Sequence, residues 1–277
     1  MNIVYFGTDV FLSCFKYLLE RHHILALYTY HNDEDYFTEY SIVRRAGELG
    51  IPVHYEVISP ETMAELSREP ISALFFTAEY SHILSIPSEL GHFRGINVHS
   101  SLLPQGRSYY PLECAMERNL PSTGVTLHKL TANVDSGDIL AQRTIDIKPE
   151  TDNVDLYLKC GAAAREMLED IMEDLDAAWQ RAVPQRAHLP YWNRPALELL
   201  TLEYRLTLAE ARDMFRRYNS MTQVKLDGSW YYVTALLAGT AALPAPECRL
   251  AKDRWLYRTV DGHLRLTVHP ISKEAVL

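Results

Sequence analysis

An asparagine and a histidine stand two positions apart at the end of an apolar run, Gly95–His99. The run reads as a strand, and alternate side chains of a strand share one face, so Asn97 and His99 can act on one atom. Further along, the loop Ala132–Asp138 carries Asp135 close to a glycine. An amide donor can stabilise a developing oxyanion, an imidazole can move a proton, and a carboxylate can orient the imidazole. Together the three side chains suit acyl transfer without a covalent intermediate.

Two other chemistries lack their motifs in this chain. The sequence contains no Gly-x-Ser-x-Gly elbow, so attack by the substrate's own amine is simpler than an acyl-enzyme. The first turn, Phe6–Phe11, lacks the Gly-x-Gly-x-x-Gly pattern that lets a pyrophosphate approach a helix. A nicotinamide oxidoreductase, which the fold alone would allow, is therefore discounted.

Six short apolar runs, most of them separated by helix-like stretches, must position these residues. Strands that alternate with helices of about ten residues predict a doubly wound, mostly parallel sheet with right-handed crossovers. In such sheets ligands bind beyond the C-terminal ends of the strands, and the fifth run leads directly into the irregular loop Ser100–Pro104. The predicted strands are Asn2–Phe6, Ile24–Tyr30, Ile51–Tyr55, Ile71–Phe76, Gly95–His99 and Gly124–His128.

A long amphipathic helix follows the predicted sheet. Its periodicity predicts one helix over Asn153–Trp179, with an apolar stripe that lies against the sheet. Pro184 and Pro190 then mark a linker. The predicted stripe consists of Val154, Tyr157, Leu158, Leu168, Ile171, Leu175 and Trp179.

Beyond the linker the pattern changes. One predicted helix, Leu208–Tyr218, precedes two stretches of strand-like composition, Gln223–Leu237 and Cys248–Val268. We therefore expect an α/β protein with a Rossmann-like domain followed by a small, mostly β appendage. The expected boundaries are 1–185 for the catalytic domain, 186–204 for the linker and 205–277 for the C-terminal domain.

The composition narrows the classes of partner. The formal net charge is −9 and Lys and Arg are scattered, whereas phosphate backbones are bound through clustered positive charge, so a nucleic-acid polymer is disfavoured. The sequence shows no positively charged start followed by an apolar stretch and a small-residue cleavage site, and no run of about 18 apolar residues, so we expect a cytoplasmic protein without a membrane partner. The four cysteines lack Cys-x-x-Cys spacing, so no metal site is suggested.

At the residues just described, the sequence resembles the folate-dependent formyltransferase family. Three ordered segments carry the resemblance: Asn97–Pro104, Gly124–Thr126 and Val134–Leu140. The resemblance implies that Asn97, His99 and Asp135 are the catalytic residues. It also implies a Rossmann-like domain that uses N10-formyltetrahydrofolate as co-substrate, and a C-terminal domain like a shortened formyltransferase barrel.

The resemblance also suggests where the co-substrate lies. In the family the pterin sits beside the segment before the catalytic strand, here Tyr80–Pro87. The expected co-substrate contacts are Tyr80, Ile83, Leu84, Ile86 and, in a supporting role or as a purely local hydrogen-bonding group, Asp138.

The loop after the catalytic strand supplies the expected acceptor contacts. Arg107 either clamps a phosphate or carboxylate of the acceptor or is a solvated loop residue. Tyr109 and Tyr110 either stack on an acceptor ring, or one packs in the core while the other shields the cleft. His128 is interpreted as a core histidine that lines the pocket at most. The expected substrate-binding residues are Ser100, Arg107, Tyr109 and Tyr110.

Two departures from the family pattern bear on the acceptor. The loop reads Arg107-Ser108 where Arg-Gly is usual, and the linker lacks the segment expected of a relative that acts on transfer RNA. The sequence therefore favours the amine of a small molecule, by analogy a nucleotide-linked amino sugar. An amino acid or hydroxyornithine, a formyltetrahydrofolate hydrolase and a non-catalytic folate- or nucleotide-binding protein are the alternatives. A homodimer is the general expectation for such enzymes.

Overall fold

Seven strands of the N-terminal half form one sheet in the computed structural model, which describes residues 1–31, 40–86, 93–186, 189–239 and 246–271. The first five strands pair in parallel, and the last two add antiparallel at one edge. The predicted fold class is confirmed. In the order β3-β2-β1-β4-β5-β6-β7, the sheet comprises β1 (Asn2–Gly7), β2 (His23–Tyr28), β3 (Val53–His54), β4 (Leu74–Ala78), β5 (Arg94–His99), β6 (Ser122–Lys129) and β7 (Ile139–Asp146).

Helices cover both faces of this sheet. Alternate residues of β1 point to opposite faces: Ile3 and Tyr5 join one buried cluster, and Val4 and Phe6 join another. Both faces are therefore dry, which explains why the strands read as continuous apolar runs. The helices of this half are α1 (Leu12–Arg21), α2 (Ser41–Glu48), α3 (Pro60–Ser67), α4 (Pro111–Glu117), α5 (Asn153–Glu173) and α6 (Leu175–Arg181).

The predicted single helix over Asn153–Trp179 is wrong in two respects. The chain breaks at Asp174, which leaves the helical conformation and caps α6 by accepting a hydrogen bond from the backbone N–H of Ala177. The stripe is also misplaced at its start, because Val154 and Leu158 are 44% and 70% exposed. The face that packs inward begins instead with Leu156, Cys160, Ala163, Ala164 and Met167.

A second sheet of six strands occupies the C-terminal part. It is antiparallel except for one short parallel pair. Its own apolar cluster, which includes Val224, Val233 and Leu266, packs beneath a helix with a capping box at Thr207. The elements are α7 (Leu197–Leu200), β8 (Thr201–Leu202), α8 (Leu208–Tyr218), β9 (Gln223–Leu226), β10 (Ser229–Gly239), β11 (Glu247–Arg249), β12 (Arg254–Arg258) and β13 (His263–Pro270).

Helix α8 joins the two halves. Arg216 donates to the carbonyl of Thr151 at 2.6 Å, and Arg217 donates to the carbonyl of Met116 at 2.8 Å. Asp213 accepts from both guanidinium groups and holds them in place. These hydrogen bonds hold the C-terminal end of α8 against α4 and against the start of α5.

The domain boundaries at 185 and 204 remain predictions, and α7 and β8 lie inside the predicted linker. In the described part of the chain, no helix is long and apolar enough to cross a membrane.

Candidate active site

The predicted asparagine and histidine lie on β5, where the sheet changes from parallel to antiparallel pairing. Asn97 stands opposite Thr77 on one neighbouring strand and opposite His128 on the other. Its amide oxygen accepts from the Thr77 hydroxyl at 2.5 Å, and its Nδ2 donates to Nε2 of His128 at 3.0 Å. The distance from Nδ2 to Asp135 Oδ1 is 3.4 Å. One amide hydrogen is thus firmly bound, and the other is held loosely enough to serve a ligand.

His99 is fixed by the loop that follows its own strand. Its Nε2 lies 2.9 Å from the carbonyl oxygen of Gly106, so the neutral ring donates there and keeps its lone pair on Nδ1. Nδ1 lies 3.6 Å from Asp135 Oδ1. Burial lowers the pKa of His99, and the nearby Asp135 charge only partly opposes this. At neutral pH the ring is therefore a neutral base with a carboxylate ready to stabilise its protonated form.

Asp135 is held by its backbone as much as by its side chain. It has a φ of 50°, a left-handed conformation that costs free energy outside glycine. Gln185 donates to the carbonyls of Asp135 and Gly137 at 3.0 and 2.8 Å. Although burial raises the pKa of Asp135, the pull of His99 and His128 leaves it below its usual value. The carboxylate is therefore charged when His99 is neutral.

A cavity of about 410 Å³ opens at these three residues; we call it the strand-end cavity. It falls within the range typical of small-molecule sites. The predicted co-substrate contacts Tyr80, Ile83, Leu84 and Ile86 all line it, as does His128. Pro87, the last residue of the predicted pterin segment, lies outside the described residues. Asp138 is not among the described lining residues and accepts from Lys129 Nζ at 3.0 Å.

The predicted acceptor contacts divide between two places. Ser100 is buried and donates to Glu79, while Arg107 is buried and donates to Gln185 at 2.7 Å, so it supports the Asp135 loop and lines neither cavity. Tyr109 is 64% exposed, and its hydroxyl donates to the carbonyl of Ser81. Tyr109 and Tyr110 both line a second cavity of about 590 Å³, the tyrosine cavity. This cavity adjoins the strand-end cavity, since Glu79, Tyr80 and Tyr109 line both.

Sequence reasoning missed three polar residues around the site. His128, interpreted as a core histidine, contacts Asn97 and lies 3.7 Å from Asp135. A signal was present, because an antiparallel partner strand places it opposite Asn97. Glu79 and Glu113 gave no signal, since a glutamate after a strand or in a short helix is ordinary. Within the described ranges, no cluster of three or more His, Cys, Asp or Glu side chains could hold a metal ion.

Residues 56–172 match the model of the family described as "Formyl transferase". Among solved structures, HypX from Aquifex aeolicus in complex with tetrahydrofolic acid is 17% identical with a TM-score of 0.71. The match covers 98% of this chain and 44% of HypX, so this chain spans less than half the length of HypX.

Two solved formyltransferases are similar over nearly their whole length. WlaRD, a sugar 3N-formyl transferase crystallised with dTDP and 5-N-formyl-THF, is 16% identical with a TM-score of 0.60, over 99% of this chain and 98% of WlaRD. The N-formyltransferase from Helicobacter canadensis, in complex with folinic acid and dTDP-3-aminofucose, is 16% identical with a TM-score of 0.61, over 98% and 99%. At such identities the likeness concerns the fold.

Proposed function

We propose, from the match of residues 56–172 to the formyl transferase family model, that this chain moves a formyl group from N10-formyltetrahydrofolate to the amine of a small molecule. The observation that carries the proposal is the convergence of Asn97, His99 and Asp135 on one cavity. There Oδ1 of Asp135 lies 3.4 Å from Nδ2 of Asn97 and 3.6 Å from Nδ1 of His99.

Asn97 stabilises the negative charge that develops on the formyl oxygen. Thr77 and His128 fix the amide plane, and Nδ2 lies 3.4 Å from Asp135 Oδ1, so its second hydrogen can donate to a formyl oxygen without rotation of the side chain. Donors that are oriented before the reaction contribute most to such stabilisation.

His99 moves the proton that the attacking amine releases. The amine nitrogen bonds to the formyl carbon as the bond from that carbon to N10 breaks. Nδ1 of His99 accepts the amine proton and returns it to N10, while Asp135 stabilises the imidazolium in between. The carbonyl of Gly106 keeps the ring orientation throughout.

The strand-end cavity fits a folate co-substrate. Ile83, Leu84 and Ile86 give it apolar walls on one side, and Leu130 lies on another. A flat heteroaromatic ring suits a cleft of this size, and it would place its formyl group near Asn97. HypX and WlaRD were crystallised with a tetrahydrofolate and a formyl-tetrahydrofolate, which supports the same donor here.

A nucleotide-linked amino sugar is the first candidate acceptor, because WlaRD and the Helicobacter canadensis protein were crystallised with dTDP or a dTDP-amino sugar. An amino acid or hydroxyornithine is the second candidate. It gains support from the described lining of both cavities, which includes no Lys or Arg to pair with a diphosphate.

The test is absorbance-monitored release of tetrahydrofolate from N10-formyltetrahydrofolate with amino-sugar nucleotides, amino acids, or no acceptor. We expect turnover that requires one amine class and is lost in His99→Ala but not in His23→Ala, which removes an exposed histidine. Turnover without any amine would identify a hydrolase instead. Folate binding without turnover under every condition would identify a binding protein and overturn the proposal.

A further inference from the structure

Most residues that line the tyrosine cavity have no role in the formyl transfer proposed above. The cavity shares Glu79, Tyr80 and Tyr109 with the strand-end cavity and receives residues from both halves of the chain. The C-terminal part contributes the end of α8 and the turn after it. Six aromatic hydroxyl side chains line it: Tyr30, Tyr80, Tyr109, Tyr110, Tyr157 and Tyr218.

One carboxylate of this cavity is buried and only half satisfied. Glu113 is 3% exposed, and its Oε1 accepts from Nδ2 of Asn153 at 3.0 Å and from the hydroxyl of Tyr157 at 3.3 Å. Its Oε2 is buried without a hydrogen-bond partner in the described part of the structure. A buried carboxylate oxygen without a partner is costly, so this atom marks a place for a ligand donor.

A second carboxylate, Glu79, stands between the two cavities. It follows β4 with a φ of 54°, a strained conformation for a glutamate, and the hydroxyl of Ser100 donates to it at 3.3 Å. Strain of this kind is retained where the backbone must aim a side chain at a site. Here it aims Glu79 at the space that both cavities share.

No Lys or Arg is among the described residues that line either cavity. Burial raises the pKa of Glu79 to about 7, and the charge of Glu113 adds to this effect. Burial likewise raises the pKa of Glu113. A cation placed between them would supply the missing charge and the missing donors.

We propose that the tyrosine cavity is the acceptor subsite and that it takes the substrate's primary amine as an ammonium ion, held by Glu79 and Glu113. The proposal rests on the proposed formyl transfer. The three N–H donors of an ammonium match the free Oε2 of Glu113 and the Glu79 carboxylate, and tyrosine faces attract cations. The same charges repel a phosphate or carboxylate, so among the candidate acceptors the subsite favours an amine that is remote from its diphosphate or carboxylate and disfavours the α-amine of an amino acid.

Glu79 also prepares the amine for attack. An ammonium ion has no lone pair, so one N–H bond must break first, with the electron pair left on nitrogen. Glu79 accepts this proton on its carboxylate, because it lines both cavities. The amine then attacks the formyl carbon and passes its next proton to His99. The amide product is neutral and no longer pairs with the carboxylates, which favours its release.

Equilibrium binding of n-butylamine, with n-butanol as the uncharged match, tests the subsite without folate. Calorimetric titration of the full chain is compared for wild type, Glu79→Gln, Glu113→Gln and Glu65→Gln, which removes one exposed charge on α3. We expect butylamine to bind wild type and Glu65→Gln equally and to bind the first two variants roughly 10 to 100-fold more weakly. Butanol should bind none of them.

Three outcomes would overturn the subsite: no butylamine binding to wild type, binding to both cavity variants as tight as to wild type, or butanol binding as tight as butylamine binding. Thermal unfolding checks that the variants fold. If Glu113→Gln does not fold, the butylamine affinity of Glu79→Gln alone tests the subsite. Kinetics separate the two proposals. Tetrahydrofolate release with an unchanged acceptor KM in both variants leaves formyl transfer standing without this subsite, whereas amine binding without turnover leaves the subsite and removes formyl transfer.

Discussion

The two neighbouring cavities are built in different ways. The catalytic residues of the strand-end cavity come from β5 and the loop after β6, within 39 positions of sequence from Asn97 to Asp135. The lining of the tyrosine cavity runs from Tyr30 to Met221 and comes from loops and helices of both halves of the chain. The groups proposed for chemistry are thus held by one local framework, while the groups proposed for acceptor binding are assembled by long-range packing.

The cavities also differ in how burial acts on their acids and bases. In the strand-end cavity, burial lowers the pKa of His99 while its neighbours hold the pKa of Asp135 down, so base and carboxylate are ready together. At Glu79, which lines both cavities, and at Glu113, burial instead raises the pKa of the carboxyl group. The contrast agrees with a catalytic group, His99 and Asp135, whose protonation states already suit the reaction, beside two carboxylates that a bound cation would stabilise in their charged form.

The largest effect should follow from removing the base. We expect His99→Ala to lower kcat by about 100 to 10,000-fold, since it deletes the proton acceptor at the amine. Because His99 does not line the tyrosine cavity, the affinity for butylamine should stay at its wild-type value. Steady-state kinetics and calorimetry on one preparation check both statements. A fall in the affinity for butylamine would contradict the assignment of catalysis and amine binding to separate cavities.

The next largest effect should be a difference between the pH profile of kcat/KM for the acceptor and that of kcat. Glu79 is charged only above its pKa of about 7, so kcat/KM for the acceptor should fall about tenfold per pH unit below that value. The depressed pKa of His99 keeps it neutral below its usual value of about 6.5, so kcat at saturating acceptor should stay flat to lower pH. Profiles of wild type and Glu79→Gln check this, and a limb near pH 7 that persists in the variant would count against Glu79.

A smaller effect should appear on the donor side alone. Ile83 lines the strand-end cavity and is 63% exposed, so Ile83→Ala should remove about 1 kcal/mol of apolar contact. This predicts roughly a fivefold rise in the KM for N10-formyltetrahydrofolate with the acceptor KM unchanged. Initial rates at varied donor and acceptor measure both constants, and a shift in the acceptor constant would show that this wall serves both ligands.

The smallest effect should come from loosening α8. Arg217 ties the helix to the carbonyl of Met116 and to Asn119, close to the residues that α8 presents to the tyrosine cavity. Arg217→Ala should raise the acceptor KM about two- to fivefold, as expected for a partly exposed pair, and leave the donor KM alone. The exposed Arg205→Ala serves as the matched control. Equal changes in both constants would indicate general destabilisation.

The sequence predicted most of the parallel sheet, because strands buried on both faces must be apolar throughout and are easily recognised. It failed on the last helix of that half, where the cap at Asp174 breaks a continuous pattern and where Leu158 faces outward despite being apolar. The sequence also could not predict the burial of Arg107, since a loop arginine that packs against Gln185 and a solvated loop arginine have the same sequence pattern.

By itself, the sequence determined that Asn97 and His99 share a face, since that follows from the two-residue period of a strand. It also determined that these side chains stand at the end of a parallel sheet, where ligands bind. Only the tertiary structure decided that His128 joins them, that Gly106 orients His99, and that Glu79 and Glu113 share a cavity. These relations depend on contacts between elements far apart in the chain, which local sequence patterns do not predict.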